Sequence, residues 1–194
     1  MKAMRRPRWE RWRFSINHIV ERENAMASDK MIRRLNEQVK NEWYSQFLYL
    51  DMMAWCYNNG YEGFGQWFRA QAAEEYEHGE KILRYIGEVD GDMEIPEIPG
   101  RDVAPTGIQQ MFEATLEHEK KVTGMIHELV KLAREENDYA TENFLQWYVA
   151  EQVEEESTAR DILGQIERVK DAPGGLFMLE NRLGQRSGSE GSSE

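Results

Sequence analysis

The chain has 194 residues and a mass of 22.8 kDa, and its 40% apolar and 11% aromatic content suits one folded domain with a sizeable core rather than a disordered chain. Its one cysteine, Cys56, excludes a disulfide framework and any thiolate-cluster metal site within the chain, and no apolar run approaches the ~20 residues needed to cross a bilayer. The formal charge of −12 is uneven: residues 1–25 carry seven basic side chains against three acidic ones, a balance of +4 that leaves −16 for residues 26–194. An acidic body suits metal cations and repels nucleic acid.

Residues 1–27 read as a basic extension (Arg5, Arg6, Arg8, Arg11, Arg13) interleaved with Trp9, Trp12 and Phe14. Met26-Ala27-Ser28-Asp29 resembles a natural chain start, so the extension is either a disordered or mis-assigned start or an arm for nucleic acid or another anionic surface. Ser28 is a good N-cap for a first helix running to Asn58, where Asn58-Asn59-Gly60 stops it. A second helix is expected over Gly63 to Val89. Residues 92–107 then change character, with Pro96, Pro99 and Pro105 and no helical periodicity. A third helix spans Ile108 to Glu136, and the Asn137-Asp138 break leads into a fourth ending at Val169. The Pro173-Gly174-Gly175 turn precedes a short fifth helix within residues 173–184, and residues 185–194 have the composition of a flexible tail.

Connection lengths give the topology. The short links make helices one and two, and three and four, antiparallel hairpins. A sixteen-residue connection reaches roughly 50 Å at ~3.3 Å per residue. A 27-residue helix is about 40 Å long. The connection can therefore run the length of the bundle, giving an all-α four-helix bundle of two hairpins joined by one long crossover over residues 28–170.

Walking the inward face of each helix in steps of four and three exposes a conflict with a plain core. Helix one gives Ile32, Leu35, Val39, Glu42, Gln46, Tyr49, Met53, Cys56; helix two gives Phe64, Phe68, Gln71, Glu75, His78, Ile82, Tyr85, Val89. Helix three gives Ile108, Phe112, Thr115, Glu119, Val122, Ile126, Leu129, Ala133, and helix four gives Leu145, Tyr148, Gln152, Glu155, Ala159, Ile162, Ile166, Val169. Each stripe is apolar at both ends and broken by polar groups near its middle, twelve to fourteen residues from its helix start. The four breaks therefore meet at one level. Carboxylates buried together without cations would cost several kcal/mol each or stay protonated, whereas a pair of bound cations removes the difficulty. Oxygen ligands with one imidazole suit iron or manganese better than a thiolate-seeking metal.

The spacing repeats. Glu42 to Glu75 is 33 residues, as is Glu119 to Gln152, and both Glu75/His78 and Gln152/Glu155 stand three apart on one face. An offset of 77 maps the first set onto the second. An offset of 80 aligns FGQWFRAQAAEEYEHGEKIL with FLQWYVAEQVEEESTARDIL at eight of twenty positions, and records either an old duplication or similar helix composition.

The segments NEWYSQFLYL, AAEEYEHGEKIL, EHEKKV, FLQWYVAEQVEEE and GGLFMLENRL, in this order and spacing, resemble the ferritin family in its bacterial and archaeal non-haem branch, over residues 29–184. A lone Glu-x-x-His is weak; four segments in register are specific. The resemblance implies one iron on Glu42, Glu75 and His78, and a second on a bridging Glu75 with Glu119 and Glu155, Gln152 bonding or ligating nearby. It implies that Tyr49 and Trp147 can supply electrons, and that Glu74, Glu151 and Glu154 form a third iron site. It further implies a cytoplasmic ferroxidase that oxidises Fe²⁺ to Fe³⁺ with O₂ or H₂O₂ and stores ferric mineral in a 24-subunit shell, with the fifth helix lining channels. No haem is expected, because Tyr76 and Glu77 lie between Glu75 and His78 where a haem-binding Met would stand, and helix four reads Gln152-x-x-Glu155 in place of a second Glu-x-x-His. The alternatives are a catalytically weak structural shell subunit and a diiron oxidase or peroxide scavenger that stores nothing. Glu77 and Glu156 read as a solvated face, His18, His118 and His127 as surface or packing residues, and Trp43, Trp55 and Trp67 as core or subunit contacts.

Overall fold

The computed structural model describes residues 26–100 and 107–185. Among them the regular elements are five helices and no strand: α1 (Asp29–Asn58), α2 (Glu62–Glu88), α3 (Ile108–Glu136), α4 (Tyr139–Val169) and α5 (Gly175–Leu183). Residues 1–25 of the expected extension (1–27), residues 186–194 of the expected tail (185–194) and the centre of the crossover (101–106) lie outside the described residues.

Each boundary has a local cause. Ser28 is extended, and its hydroxyl oxygen accepts from Met31 N at 3.0 Å, one of the four amides that a helix start leaves unpaired. The same hydroxyl donates to Glu136 Oε2 at 2.6 Å, so the start of α1 meets the end of α3 and the two run antiparallel. Asn137 closes α3 in the left-handed region at φ 57°, which asparagine tolerates better than most residues. Asp138 then caps α4, accepting from Thr141 N at 3.0 Å and from the Thr141 hydroxyl at 2.6 Å. Helix α2 starts one residue before the expected Gly63. Glu180 of α5 accepts from Gly63 N at 2.9 Å, and a Cβ at Gly63 would stand 2.1 Å from Glu180 O. Only glycine allows that close approach, and the contact draws α5 against the start of α2. Helix α5 itself, Gly175–Leu183, lies within the expected residues 173–184.

A side chain of α1 anchors the start of the crossover. Buried Asn36 on α1 donates to Asp92 O at 2.9 Å and accepts from Glu94 N at 2.9 Å, giving an extended segment two of the backbone bonds it cannot make itself. Farther along, Pro99 lies with Tyr44 of α1 and Met125 of α3 along the cleft between those helices.

Packing divides the core in two. One cluster gathers Leu35, Val39, Ile82, Ile126, Leu129 and Leu145; the other gathers Leu48, Met52, Phe64, Phe68, Phe112 and Ile162. Between them lies a layer of buried polar residues. Every inward-stripe position of α2 and α3 is buried, as expected. In α1 the stripe slips: Gln46 and Met53 are half-buried, while Ser45 and Met52 are fully buried. The slip is local, because Tyr49 and Cys56 farther along the same walk are fully buried. Helix α5 buries Leu179 and Leu183 and leaves Phe177 66% and Met178 75% exposed. No helix among the described residues is long and apolar enough to cross a membrane.

The anchor can be tested directly. Asn36→Leu removes two bonds to crossover backbone and should destabilise the fold by about 1–3 kcal/mol, with faster hydrogen exchange at Glu94 than elsewhere. Unchanged exchange at Glu94 would show that the crossover is held by something else.

Candidate metal centre

Four helices each place carboxylate or amide groups in the polar layer. α1 contributes Glu42; α2 contributes Glu75 and, one turn on, His78; α3 contributes Glu119; α4 contributes Gln152 and Glu155. Glu42, Glu75 and Glu119 are 1%, 2% and 1% exposed, and His78, Gln152 and Glu155 are also buried. The three-residue spacing within α2 and α4 puts each pair on one helix face, so the sequence pattern becomes a cluster without any distortion of the helices. Among the described residues, one group of His, Cys, Asp or Glu brings three ligand atoms within 4.8 Å of one another: Glu42, Glu75 and His78.

Buried amides and a phenol satisfy most of these carboxylates. Gln38 Nε2 donates to Glu42 Oε1 at 2.8 Å, and Gln71 Nε2 donates across the bundle to Glu155 Oε2 at 2.9 Å. Gln152 Nε2 donates to Glu119 Oε2 at 3.1 Å and to its backbone carbonyl at 3.2 Å, while the Tyr49 hydroxyl donates to the other Glu119 oxygen. Glu75 is treated differently. Its Oε2 is fully buried with no hydrogen-bond partner, and His78 Nδ1 stands 3.6 Å away.

The electrostatics follow from that arrangement. Burial, then the charges of Glu119, Glu42 and Glu155, push the Glu75 carboxyl well above its ordinary range. Burial also raises Glu119 to about 7, although the bonds from Tyr49 and Gln152 favour its charged form and oppose the rise. Burial and the surrounding carboxylates hold the Tyr49 phenol well above its usual value, so it stays protonated. A buried carboxylate oxygen with no donor, among three further carboxylates, is an unfavourable arrangement for a protein alone. It becomes favourable once cations enter. The donor set of carboxylate oxygens and one imidazole nitrogen fits iron or manganese.

The remaining predicted residues separate into groups. Tyr49 joins the cluster through Glu119. The Trp147 ring stands edge-on to the His78 imidazole at 5.3 Å, and Lys81 Nζ lies 3.2 Å from the Trp147 centroid. Glu74 and Glu151 are half-buried and Glu154 is exposed, and these three do not gather as tightly as the Glu42 group. Glu77 is exposed as expected, but Glu156 is half-buried and accepts from the Thr123 hydroxyl at 2.7 Å. His118 is half-buried, with Nε2 2.7 Å from the Ser45 hydroxyl, and burial followed by the Lys121 charge lowers it to about 4. His127 is exposed and Trp67 sits in the core. Sequence reasoning missed Gln38, whose signal was present: a glutamine one turn before the helix-one ligand, as Gln71 stands one turn before Glu75.

Comparisons with known proteins show the family and the fold. The ferritin-like domain family matches residues 32–169. The chain is 38% identical to the bacterial non-heme ferritin of Campylobacter jejuni over 158 residues, covering 81% of this chain and 95% of that protein. It is 34% identical to the bacterial non-heme ferritin of Staphylococcus aureus over 165 residues, covering 85% and 99%. Among solved structures, an open-pore ferritin from the archaeon Archaeoglobus fulgidus superposes with a TM-score of 0.80 at 39% identity, covering 82% of this chain and 99% of that one.

The raised carboxyls predict an unusual pH dependence. Between the ordinary carboxyl value of 4.5 and about 7, the folded metal-free protein binds more protons at Glu119 than the unfolded chain does, and Glu75, whose carboxyl is also raised, adds to the excess. Stability tied to these groups is complete below that window and is lost as pH rises through it. The melting temperature of the metal-free protein should fall between pH 5 and pH 8, and Glu75→Gln should flatten the fall. Divalent cation should restore stability at pH 8, since it binds the deprotonated ligands. A melting temperature that climbs through the window in both proteins would contradict the assignment.

Proposed function

The chain belongs to the ferritin family, and on that premise we propose that it oxidises Fe²⁺ at a two-iron site within its own helix bundle and stores the ferric product. The observation that carries the reading is the unpartnered Glu75 Oε2, buried between the Glu42–His78 side and the Glu119–Glu155 side of the polar layer. A carboxylate in that position can bridge two cations, and no donor competes for its Oε2.

Iron is the substrate here. One Fe²⁺ binds Glu42, Glu75 and His78; a second binds Glu75, Glu119 and Glu155, with Gln152 donating to Glu119. Each ferrous ion gives up one electron. Dioxygen takes the two electrons and two protons and leaves as hydrogen peroxide, or peroxide takes two electrons and two protons to give two waters. Holding both ions in one dry pocket makes this two-electron step unimolecular. Tyr49 can give a further electron when dioxygen is carried past peroxide to water: three ferrous ions and the phenol together supply the four electrons that, with four protons, make two waters, and the phenol's own proton has a carboxylate acceptor in reach. Trp147, beside His78, is the second such ring.

A neutral amide at Gln152 where a carboxylate could stand lowers the negative charge of that half, which weakens its hold on Fe³⁺ and favours release. We assign Glu74, Glu151 and Glu154 as a third iron site on the outgoing route, supported by the half-burial of the first two beside the layer. Release implies a cavity, and we infer a homo-oligomeric shell of the 24-subunit ferritin type. The exposed Phe177 and Met178 of α5 support a subunit contact at that helix. We infer a cytoplasmic protein without haem, in keeping with the buried thiol of Cys56 and with Tyr76 beside Glu75.

Stopped-flow absorbance during aerobic addition of Fe²⁺ tests the proposal. The wild type should show a fast phase that saturates near two irons per chain, and Glu75→Ala should lose it. Equal slow oxidation in both proteins, with an assembled shell retained, would leave only a passive structural subunit.

A further inference from the structure

We propose that Gln38 and Gln71 are positioning residues, each serving one half of the iron site; this rests on the two-iron reading above. Gln38 is 2% exposed and Gln71 fully buried, and neither carboxamide lies among the ligands assigned to iron. Gln38 stands one turn before Glu42 on α1. Its Oε1 accepts from Asn41 Nδ2 at 3.3 Å, which turns the amide so that its NH₂ faces Glu42 Oε1 at 2.8 Å. Gln71 stands one turn before Glu75 on α2, yet it donates to Glu155 Oε2 on α4 at 2.9 Å. The second amide therefore ties the two hairpins together at the depth of the metal layer.

Each amide engages one oxygen of one terminal carboxylate and fixes its rotamer. Glutamate has several rotamers to lose on binding, and an oriented ligand loses less. Glu42 belongs to the half that contains His78, and Glu155 to the half that contains Glu119. The two glutamines therefore act on different metal positions, although they occupy equivalent places before their ligands in sequence.

A general packing role would make either loss weaken both positions together, so site selectivity is the decisive readout. Methionine has nearly the volume of glutamine and a good helix propensity, but no donor. Full-length Gln38→Met and Gln71→Met proteins, with Gln38→Asn and Gln71→Asn as polar but shorter companions, would be titrated with Co²⁺ by visible absorbance. Crystals of each would then be examined for anomalous scattering at the cobalt edge, which reports occupancy position by position. Gln38→Met should bind cobalt about ten- to a hundredfold more weakly at the Glu42–His78 position and keep the other. Gln71→Met should show the reverse, and each asparagine variant should follow its methionine partner. Equal loss at both positions in both variants, or no loss in either, overturns the proposal. A wild type that binds no cobalt at either position would instead overturn the two-iron reading itself.

Discussion

Mutual repulsion among carboxylates held in one dry layer is the constraint on which the rest of the structure depends. Glu42, Glu75, Glu119 and Glu155 come from four different helices and meet out of reach of water. A fold of this size has only a modest margin of stability, and an unpaired buried charge can consume much of it. The bundle meets the cost by flanking the polar layer with two apolar clusters, so that hydrophobic burial on both sides fixes helix positions that the layer alone would push apart. The fastenings at the periphery serve the same end. Ser28 joins α1 to α3, Asn36 holds the crossover, and Glu180 holds α5 against α2.

Within the layer the protein supplies donors unequally. Glu42, Glu119 and Glu155 each receive a hydrogen bond from a buried amide, and Glu119 a second from Tyr49. Glu75 Oε2 receives none. The energetic strain of the metal-free state is thereby concentrated on one central carboxylate, where a bound cation gains most by removing it. Stability is given up at that carboxylate, and on the proposed reading this difference favours the metal-loaded state over the empty one.

Much of this was legible in the sequence because helical periodicity is a strong signal and the polar interruptions fell on the buried stripe. The stripes of α2 and α3 were read without error, and Glu42, Glu75, His78, Glu119, Gln152 and Glu155 are all buried in one layer. What escaped were interactions that depend on the relative rotation of neighbouring helices. Gln46 and Met53 stand half-buried although Tyr49 and Cys56 on the same walk are fully buried, and nothing local in the sequence announces which neighbours would leave them so. Gln71 was read as an inward residue, but its partner on α4 is 84 positions away and could not be assigned from spacing. Asn36 resembled an ordinary polar helix residue, because its partners are backbone groups of an irregular segment. The third set, Glu74, Glu151 and Glu154, came from resemblance, and its looser placement reflects exposure at the edge of the layer.

The central claim is that these carboxylates exist to hold two cations, and anaerobic equilibrium binding of Fe²⁺ tests it most directly. With oxidation prevented, calorimetry at two pH values should give two ferrous ions per chain, accompanied by release of protons from the layer. Binding of two irons with proton release that grows smaller at higher pH is the predicted result. A single weak site, or binding without any proton release below pH 7, would contradict the account.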